Sequence, residues 1–389
     1  MQHVELGPWA KSFPASSWGV TQREFLATEP RLSAFATPLL TIDRSATRHN
    51  VALMAGWLAD RGLQVAPHGK TTMAPQLWQQ LLDAGAWGIT LATPWQVQLA
   101  RSFGVRRIIL ANELVDPVAL RWVAGELGDP AFEFTCWVDS VEGVELMRRG
   151  LAGSSRPLDV VLELGSARTG ARTVEQALAV ASAVDAAPEL RLVGVGGYEG
   201  SAGSTRSADD IGAVAAYLDR LVELHDAIHW RRTPIVTAGG SAYFDLVAEK
   251  LGPLADRATV ILRSGAYQLH DEGFYRGITP LSGLRSAVHG WARVVSRPEP
   301  QLAILDGGKR DFPHDLGLPT TPVGTVKRVD DQHAYLAVDA PADAPAVGDV
   351  LRLGLSHPCT AFDKWRIIPV IDDADAPDPR VVDLVRTYF

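Results

Sequence analysis

A lysine at the end of an apolar segment is the first residue whose position suggests chemistry. The segment PHGKTTM covers residues 67–73, and Lys70 follows a short apolar stretch that predicts a β-strand. A lysine amine forms a Schiff base with a carbonyl compound when partial burial lowers its pKa, and a strand end beneath loops provides such a position. A solvated loop lysine is the alternative, so Lys70 needs support from other parts of the chain.

A histidine and a cysteine form a second candidate pair near the C-terminus. His357 and Cys359 lie in the segment SHPCTAFDKW, residues 356–365. On an extended strand, residues two apart point to the same face, so both side chains could hold one ion. Imidazole and thiolate suit Zn²⁺, with Mn²⁺, Mg²⁺ and Co²⁺ as alternatives, and the open positions would take water or substrate. A chance pairing on a strand is the competing interpretation.

Two glycine-containing segments follow predicted strands and could bind a phosphate. They are TAGGSAYF, residues 237–244, and LRSGAYQLHD, residues 262–271. Exposed backbone N–H groups in such turns can cradle an anion, and the late loops of a barrel often do so. Ordinary turns are the alternative. The candidate residues are Gly239, Gly240, Ser241, Ser264, Gly265, Ala266 and Tyr267.

Two further side chains follow predicted strands. Arg168 lies in ELGSARTGAR, where it could approach the ring nitrogen of an aromatic cofactor, and Tyr198 ends the strand in VGVGGYEG, where it could border that cofactor. A surface ion pair for Arg168 and a buried structural role for Tyr198 are the alternatives.

The composition excludes several classes of function. The 389 residues carry 37 Lys and Arg against 45 Asp and Glu, a formal net charge of -8, which disfavours nonspecific nucleic-acid binding. No apolar run approaches the ~20 residues that cross a bilayer, and no export signal is evident at the N-terminus. Only two cysteines occur, too few for a disulfide framework. A cytoplasmic protein that acts on a small molecule, without nucleic-acid or membrane partners, is the resulting expectation.

The elements that must position these residues alternate regularly. From about residue 37, beginning with TPLLTID, short apolar runs alternate with helix-like segments. This pattern predicts an α/β fold with a parallel sheet, and a closed (β/α)₈ TIM-type barrel over 35–280 fits better than an open, doubly wound sheet. After about Leu281, short strands separated by Pro, Gly and Asp turns predict an all-β domain over 281–389. Residues 1–34 read as an extension that packs on the β domain.

Together these segments resemble the D-serine dehydratase and D-threonine aldolase family, the metal-dependent branch of the alanine-racemase-like, fold type III pyridoxal-phosphate enzymes. The resemblance spans roughly residues 35–370, and its anchors are PHGKT and HPC. It implies that Lys70 carries pyridoxal 5'-phosphate and that His357 and Cys359 bind the metal. It also places His68, beside the lysine, and His333, in DQHAYL, near the site.

The sequence departs from the family pattern at several positions. PHGKTTM has Thr72 and Met73 where many members carry His and Lys, and LRSGAY lacks the proline that commonly precedes the glycine. The lysine segment, together with GGKRD at residues 307–311, looks more like bacterial proteins described as amino-acid deaminases. The identity of the substrate is what these departures leave open.

The resemblance implies a lyase that acts on β-hydroxy D-amino acids. We expect dehydration and deamination of substrates such as D-serine or D-threonine to an α-keto acid and ammonia, with retro-aldol cleavage to glycine and an aldehyde as the alternative. A racemase is less favoured because it needs no metal, and a non-catalytic pyridoxal-phosphate-binding protein because those are single barrels. Family members commonly form head-to-tail pairs, which implies a homodimer.

Overall fold

The computed structural model describes residues 4–340, 342 and 344–389, which form two eight-stranded sheets. The strands are β1 (Leu39–Asp43), β2 (Gln64–Val65), β3 (Ile89–Leu91), β4 (Arg107–Glu113), β5 (Glu133–Val138), β6 (Leu158–Leu164), β7 (Leu190–Gly197), β8 (Ile235–Ala238), β9 (Thr259–Leu262), β10 (Val288–Glu299), β11 (Leu302–Leu305), β12 (Thr325–Val329), β13 (Ala334–Ala337), β14 (Val350–Gly354), β15 (Ile367–Ile371) and β16 (Val381–Arg386).

Helices lie mainly between the strands of the first half of the chain. They are α1 (Gln22–Ala27), α2 (Arg44–Ala59), α3 (Pro75–Asp83), α4 (Pro94–Ser102), α5 (Pro117–Glu126), α6 (Val141–Gly150), α7 (Val174–Asp185), α8 (Ala208–Ala227), α9 (Phe244–Leu251), α10 (Phe274–Ile278) and α11 (Cys359–Phe362). Short 3₁₀ turns cover 15–17, 32–34, 199–201, 252–254 and 266–268. Among the described residues, no helix is both long enough and apolar enough to span a bilayer.

The parallel sheet closes into a barrel. Its strand order is β2, β9, β8, β7, β6, β5, β4 and β3, and a parallel bridge between His68 and Thr90 joins the two end strands. Trp137, Val161 and Ile261, from three of these strands, pack in one small apolar cluster with Ala66 and Ile109. A filled interior of this kind is typical of eight-stranded barrels. The predicted barrel is therefore confirmed.

Helix caps fix where the barrel helices begin. Thr93, Ser140, Thr173 and Ser207 each accept a backbone N–H bond at the start of the following helix. Such caps satisfy amides that the helix itself leaves unpaired. Because each of these helices follows a parallel strand, their N-termini and the preceding loops lie at one end of the barrel. That end carries the candidate site.

The second sheet is mixed and contains a strand from the start of the chain. β1 pairs antiparallel with β10 and parallel with β15, so the TPLLTID segment belongs to this sheet and not to the barrel. All five residues of β1 are buried. A fully buried apolar strand lacks the alternation that would distinguish one sheet from another, which is why the sequence pattern misplaced it.

The N-terminal extension packs on the β domain. Leu6, Phe13, Phe25 and Phe35 belong to the same buried apolar cluster as residues of β10, β15 and β16. The Phe13 and Phe35 rings meet edge to face with their centroids 5.0 Å apart, a favourable aromatic geometry. The predicted β domain is interrupted by the short helix α11, so it is mostly rather than entirely β.

One buried imidazole makes the stability of the fold depend on pH. His289 on β10 is only 6% exposed, and burial, with a smaller contribution from the charge of Arg352, lowers its pKa from 6.5 to about 4. Between pH 6.5 and about 4, His289 therefore binds a proton in the unfolded chain but stays neutral in the folded chain. The free energy of unfolding should decrease by about 3 kcal/mol as the pH falls from 6.5 to about 4.

Urea denaturation of the wild type and of His289→Gln across this pH range measures the effect. The variant should lose less stability on acidification than the wild type. His333→Gln, at an exposed histidine of the same domain, should lose as much stability on acidification as the wild type. Equal pH dependence of His289→Gln and wild type would contradict the assignment.

Candidate active site

A cavity of about 580 Å³ opens at the carboxyl ends of the barrel strands. Its volume lies within the range of about 300–1,000 Å³ that small-molecule sites occupy. Barrel residues on its wall include His68, Lys70, Arg168, Tyr198, Ser241 and Arg263, and residues beyond the barrel include Phe274, Tyr275, Leu316, His357 and Cys359. The two strongest candidate features of the sequence, some 290 residues apart, therefore share one cavity wall.

The backbone leading to Lys70 is held tightly. Gly69 donates its N–H to the Thr90 carbonyl at 2.8 Å, and its own carbonyl accepts the Trp78 indole N–H at 3.0 Å. A Cβ at Gly69 would lie 2.5 Å from the Trp78 nitrogen, so only glycine fits there. The Lys70 side chain itself is exposed toward the cavity. A rigid backbone thus presents a free amine to open space.

His68 is the half-buried neighbour of this lysine. Burial is the main reason that the pKa of His68 lies well below its usual value, and the charge of Lys70 lowers it further. Its Nδ1 atom is buried and lacks a hydrogen-bond partner among residues 4–340, 342 and 344–389. His68 is therefore a neutral imidazole on the cavity wall with one nitrogen available for a ligand.

The metal-ligand candidates meet at a turn and not on an extended strand. His357 adopts φ +53° and Cys359 begins α11, so the predicted strand geometry is wrong. The two side chains still interact: their hydrogen bond, with a contribution from Asp315, raises the pKa of His357 to about 9. A metal bound here would have to displace that proton.

Both ligand candidates have partners of their own. The His357 Nδ1 atom lies 2.7 Å from an oxygen of Asp315, and the Cys359 sulfur lies 2.9 Å from the Thr71 hydroxyl. A carboxylate on one ring nitrogen is the usual way of orienting a metal-binding imidazole, and it leaves Nε2 for the ion. The donor set therefore fits a divalent metal, with Thr71 linking it to the lysine segment.

Asp271 anchors the metal-ligand turn, a role that the sequence did not reveal. It is 1% exposed, and one of its oxygens accepts the His357 N–H at 3.0 Å. The other oxygen accepts the N–H groups of Gly273 and Tyr275 at 3.0 and 2.9 Å. One buried carboxylate thus ties the segment after the barrel to the β-domain turn. Its only sequence signal is its place at the end of LRSGAYQLHD.

The predicted phosphate site is only partly as expected. Gly240, Ser241, Gly265 and Ala266 line the cavity. The amides of Gly239 and Gly240, however, both donate to the buried carboxylate of Glu199, at 2.9 and 2.5 Å. Those two N–H groups are thus already paired with an anion inside the protein. The main chain around Ser241 and Gly265 remains as the wall that faces the cavity.

Three other predicted residues lie outside the cavity wall. Ser264 is buried and donates to the carbonyls of Gly239 and Gly240, which fixes the two turns against each other. Tyr267 lines a different cavity, between the barrel and α2. His333 is exposed at the turn between β12 and β13, and its carbonyl accepts from Asp330. His333 therefore does not line the cavity that contains Lys70.

Arg168 and Tyr198 lie together on the cavity wall, and a second arginine joins them. The Arg168 guanidinium sits 5.1 Å from the Tyr198 ring centroid. Arg263, which the sequence analysis missed, is 3% exposed, donates to Thr237 and Gly197, and has a buried Nε without a partner among the described residues. Its signal was present in LRSG, directly before Ser264. Two guanidinium groups thus border the cavity.

Comparison with known families identifies the fold. The family "Alanine racemase, N-terminal domain" matches residues 42–250, more than half of the chain. The chain belongs to this family. A second family, "Putative serine dehydratase domain", matches residues 287–371, which include the His357 turn. The resemblance to D-serine dehydratase and D-threonine aldolase, and with it membership of the fold type III pyridoxal-phosphate enzymes, is confirmed.

Individual proteins of the same family cover nearly the whole chain. A D-threonine aldolase from Arthrobacter sp is 26% identical over 361 residues, 89% of this chain and 92% of that protein. A 3-hydroxy-D-aspartate aldolase from Paracoccus denitrificans (strain Pd 1222) is 25% identical, covering 84% of this chain and 86% of the relative. These relatives are lyases.

Solved structures share the two-domain fold. The D-threonine aldolase from Filomicrobium marinum superimposes with a TM-score of 0.80 at 20% identity, covering 92% of this chain and 96% of that one. A D-threo-3-hydroxyaspartate dehydratase mutant in the metal-free form gives 0.75 at 20% identity, covering 92% and 99%. At this identity the likeness shows the fold alone.

The Asp315 contact predicts a measurable effect on metal affinity. Asp315→Asn should weaken divalent-metal binding about 10- to 100-fold, because the His357 ring loses the carboxylate that orients it. Competition with a chromophoric chelator measures the affinity. Asp363→Asn, an exposed acid at the end of α11, is the matched control and should bind metal like the wild type. An unchanged affinity in Asp315→Asn would show that the ring needs no such partner.

Proposed function

We propose that this chain is a pyridoxal-phosphate- and metal-dependent lyase that dehydrates and deaminates β-hydroxy D-amino acids such as D-serine or D-threonine. The observation that carries the proposal is the single cavity shared by Lys70, His357 and Cys359. The lysine that would hold the cofactor and the pair that would hold the metal can therefore act on the same bound substrate. The relatives, which are lyases of β-hydroxy D-amino acids by name, support the substrate class and a lyase reaction.

The cavity wall fits pyridoxal 5'-phosphate. Lys70 would carry the cofactor, and Arg168 and Arg263 offer positive charge to an anionic ligand. The unpartnered Nε of Arg263 and the main chain of Ser241 and Gly265 supply further polar contacts. When bound, the cofactor supplies the electron sink for negative charge at the substrate Cα.

Proton movement falls to residues around Lys70. Lys70 would hold the cofactor, and its amine, when free, would accept the proton from the substrate Cα. The neutral His68 beside it adds no competing positive charge. Gly69 and Trp78 keep the amine's backbone in place while it acts.

We propose zinc as the metal, held by His357 and Cys359, because imidazole and thiolate are its preferred protein ligands. At this position it would supply a Lewis acid for the poor leaving group of a β-hydroxyl. Asp315 orients the imidazole, and Asp271 holds the main chain of the same turn. The metal-free form of a similarly folded dehydratase is consistent with a metal requirement in this family.

Retro-aldol cleavage is the second candidate, favoured by the aldolase relatives. That reaction needs a base for the β-hydroxyl proton. Many family members carry a histidine two residues after the lysine. This chain has Thr72 there, which is 5% exposed and donates to the Gly69 carbonyl. A buried hydroxyl is a poor base. The absence of an imidazole at position 72 is our reason for preferring dehydration.

The assignment of Lys70 is tested by chemical trapping. The wild-type protein should be yellow, and borohydride reduction should attach the cofactor to the peptide that contains Lys70, as read by mass spectrometry. Lys70→Ala should lose both the absorbance and the label because no other lysine lines the described cavity wall. Lys250→Ala, at a lysine paired with Asp219 on the barrel surface, should keep both. Labelling of Lys70→Ala would refute the assignment.

The reaction is tested by product analysis with D-serine and D-threonine. We expect α-keto acid and ammonia, with activity lost on chelation and reduced at least 100-fold in His357→Ala, while the cofactor absorbance remains. His333→Ala, the same change at an exposed histidine of the same domain, should retain activity. Glycine and an aldehyde as the main products would establish the aldolase reaction, and full activity without metal would remove His357 and Cys359 from the mechanism.

A homodimer in the cytoplasm completes the proposal. Trp95, Val118 and Val141 are 49%, 63% and 49% exposed at the N-termini of three successive barrel helices, at the end of the barrel that carries the cavity. Exposed apolar side chains at this end suit contact with a second copy of the chain. Cys136 and Cys359 are free thiols, as expected in a reducing compartment.

A further inference from the structure

Three carboxylates meet at the carboxyl ends of neighbouring barrel strands, and the proposed reaction uses none of them. Glu113 ends β4, Asp139 follows β5, and Glu163 lies near the end of β6. Each offers an oxygen, and these oxygens all lie within 4.8 Å of one another. Carboxyl ends of adjacent parallel strands share one edge, so the fold itself brings the three acids together.

The cluster contains a buried acceptor that the protein leaves unsatisfied. Glu163 is 3% exposed, and its Oε2 atom has no hydrogen-bond partner in the described part of the chain. Glu113 Oε1 is likewise buried and unpartnered, and Asp139 uses one oxygen to accept the Gly170 N–H at 3.0 Å. Buried polar atoms without partners are uncommon in folded proteins and point to a missing ligand.

Nearby positive charge does not satisfy these oxygens. The guanidinium of Arg263 is directed elsewhere, with its terminal nitrogens donating to Thr237 and Gly197. Burial, a hydrogen bond with Glu163 and the charges of Glu163 and Asp139 raise the pKa of Glu113 well above its ordinary value, which reflects carboxyl groups crowded together away from water. Either a proton shared by the two glutamates or a bound cation relieves such crowding.

We propose that Glu113, Asp139 and Glu163 bind a second, hard divalent cation, such as Mn²⁺ or Mg²⁺. Carboxylate oxygens, with water in the remaining positions, are the donors that these ions prefer. The His357 and Cys359 pair has the opposite, softer character, so the two sites select different metals. Glu163 also lines the Lys70 cavity. A cation here lowers the repulsion between that wall and an anionic cofactor or substrate.

Metal stoichiometry of the holoenzyme tests the proposal. Bound metal is first removed, and the protein is then titrated with Mn²⁺ alone. Electron paramagnetic resonance measures the Mn²⁺ that stays free. We expect two bound ions per chain. The double variant His357→Ala/Cys359→Ala should retain one ion. Adding Glu163→Gln to that double variant should weaken the remaining site at least 10-fold, because the isosteric amide keeps the shape and removes the charge. Glu145→Gln, at an exposed acid of α6, is the matched control and should leave it unchanged.

Each outcome decides the matter. Loss of all Mn²⁺ binding in the double variant, or an unchanged second site after Glu163→Gln, overturns the proposal and leaves a proton shared by the two glutamates as the explanation. If circular dichroism shows that Glu163→Gln does not fold, Asp139→Asn replaces it. The number of Mn²⁺ ions bound by His357→Ala/Cys359→Ala then shows by itself whether a second site exists. The readout is metal binding, so failure of the proposed lyase reaction would not affect it.

Discussion

The seam between β2 and β3 is the contact on which the site depends. A barrel is closed only when its first and last strands pair, and here both are short, three residues or fewer. Trp87 donates to the Val65 carbonyl at 2.7 Å, Thr90 to Pro67 at 2.9 Å, and Gly69 to Thr90 at 2.8 Å. The residue that follows this last bond is Lys70. Closing the barrel and positioning the amine are therefore one structural event.

The second domain supplies what the barrel lacks. No strand end of the barrel brings an imidazole and a thiolate to the cavity together, and both arrive from the turn before α11. That turn depends on Asp271, whose two oxygens serve the His357 amide and the segment after β9. The proposed metal site therefore lies at the junction of the domains, where a change in their packing would move His357 and Cys359 relative to Lys70.

Electrostatic balance in the cavity comes from buried groups as well as exposed ones. Glu199 is fully buried and accepts from two glycine amides, a contact of the kind expected between a glycine-rich turn and a phosphate. The turn is therefore able to hold an anion, although its first two amides hold one from the protein itself. Arg168 and Arg263 add guanidinium charge to the cavity wall. Charge in and around the cavity is consequently set by groups that follow three strands, β6, β7 and β9.

Much of this protein was determined by its sequence alone. Alternating strands and helices predicted the barrel, turn-rich strands predicted the β domain, and two short motifs placed Lys70 and the His357 and Cys359 pair, because local periodicity and residue chemistry are written along the chain. Contacts between distant segments are not. The sheet to which β1 belongs, the anchoring role of Asp271, the burial of Arg263 and the pairing of Glu199 with two glycine amides all depend on which surfaces meet after folding. Only the tertiary structure decided them, because each joins residues that the sequence separates.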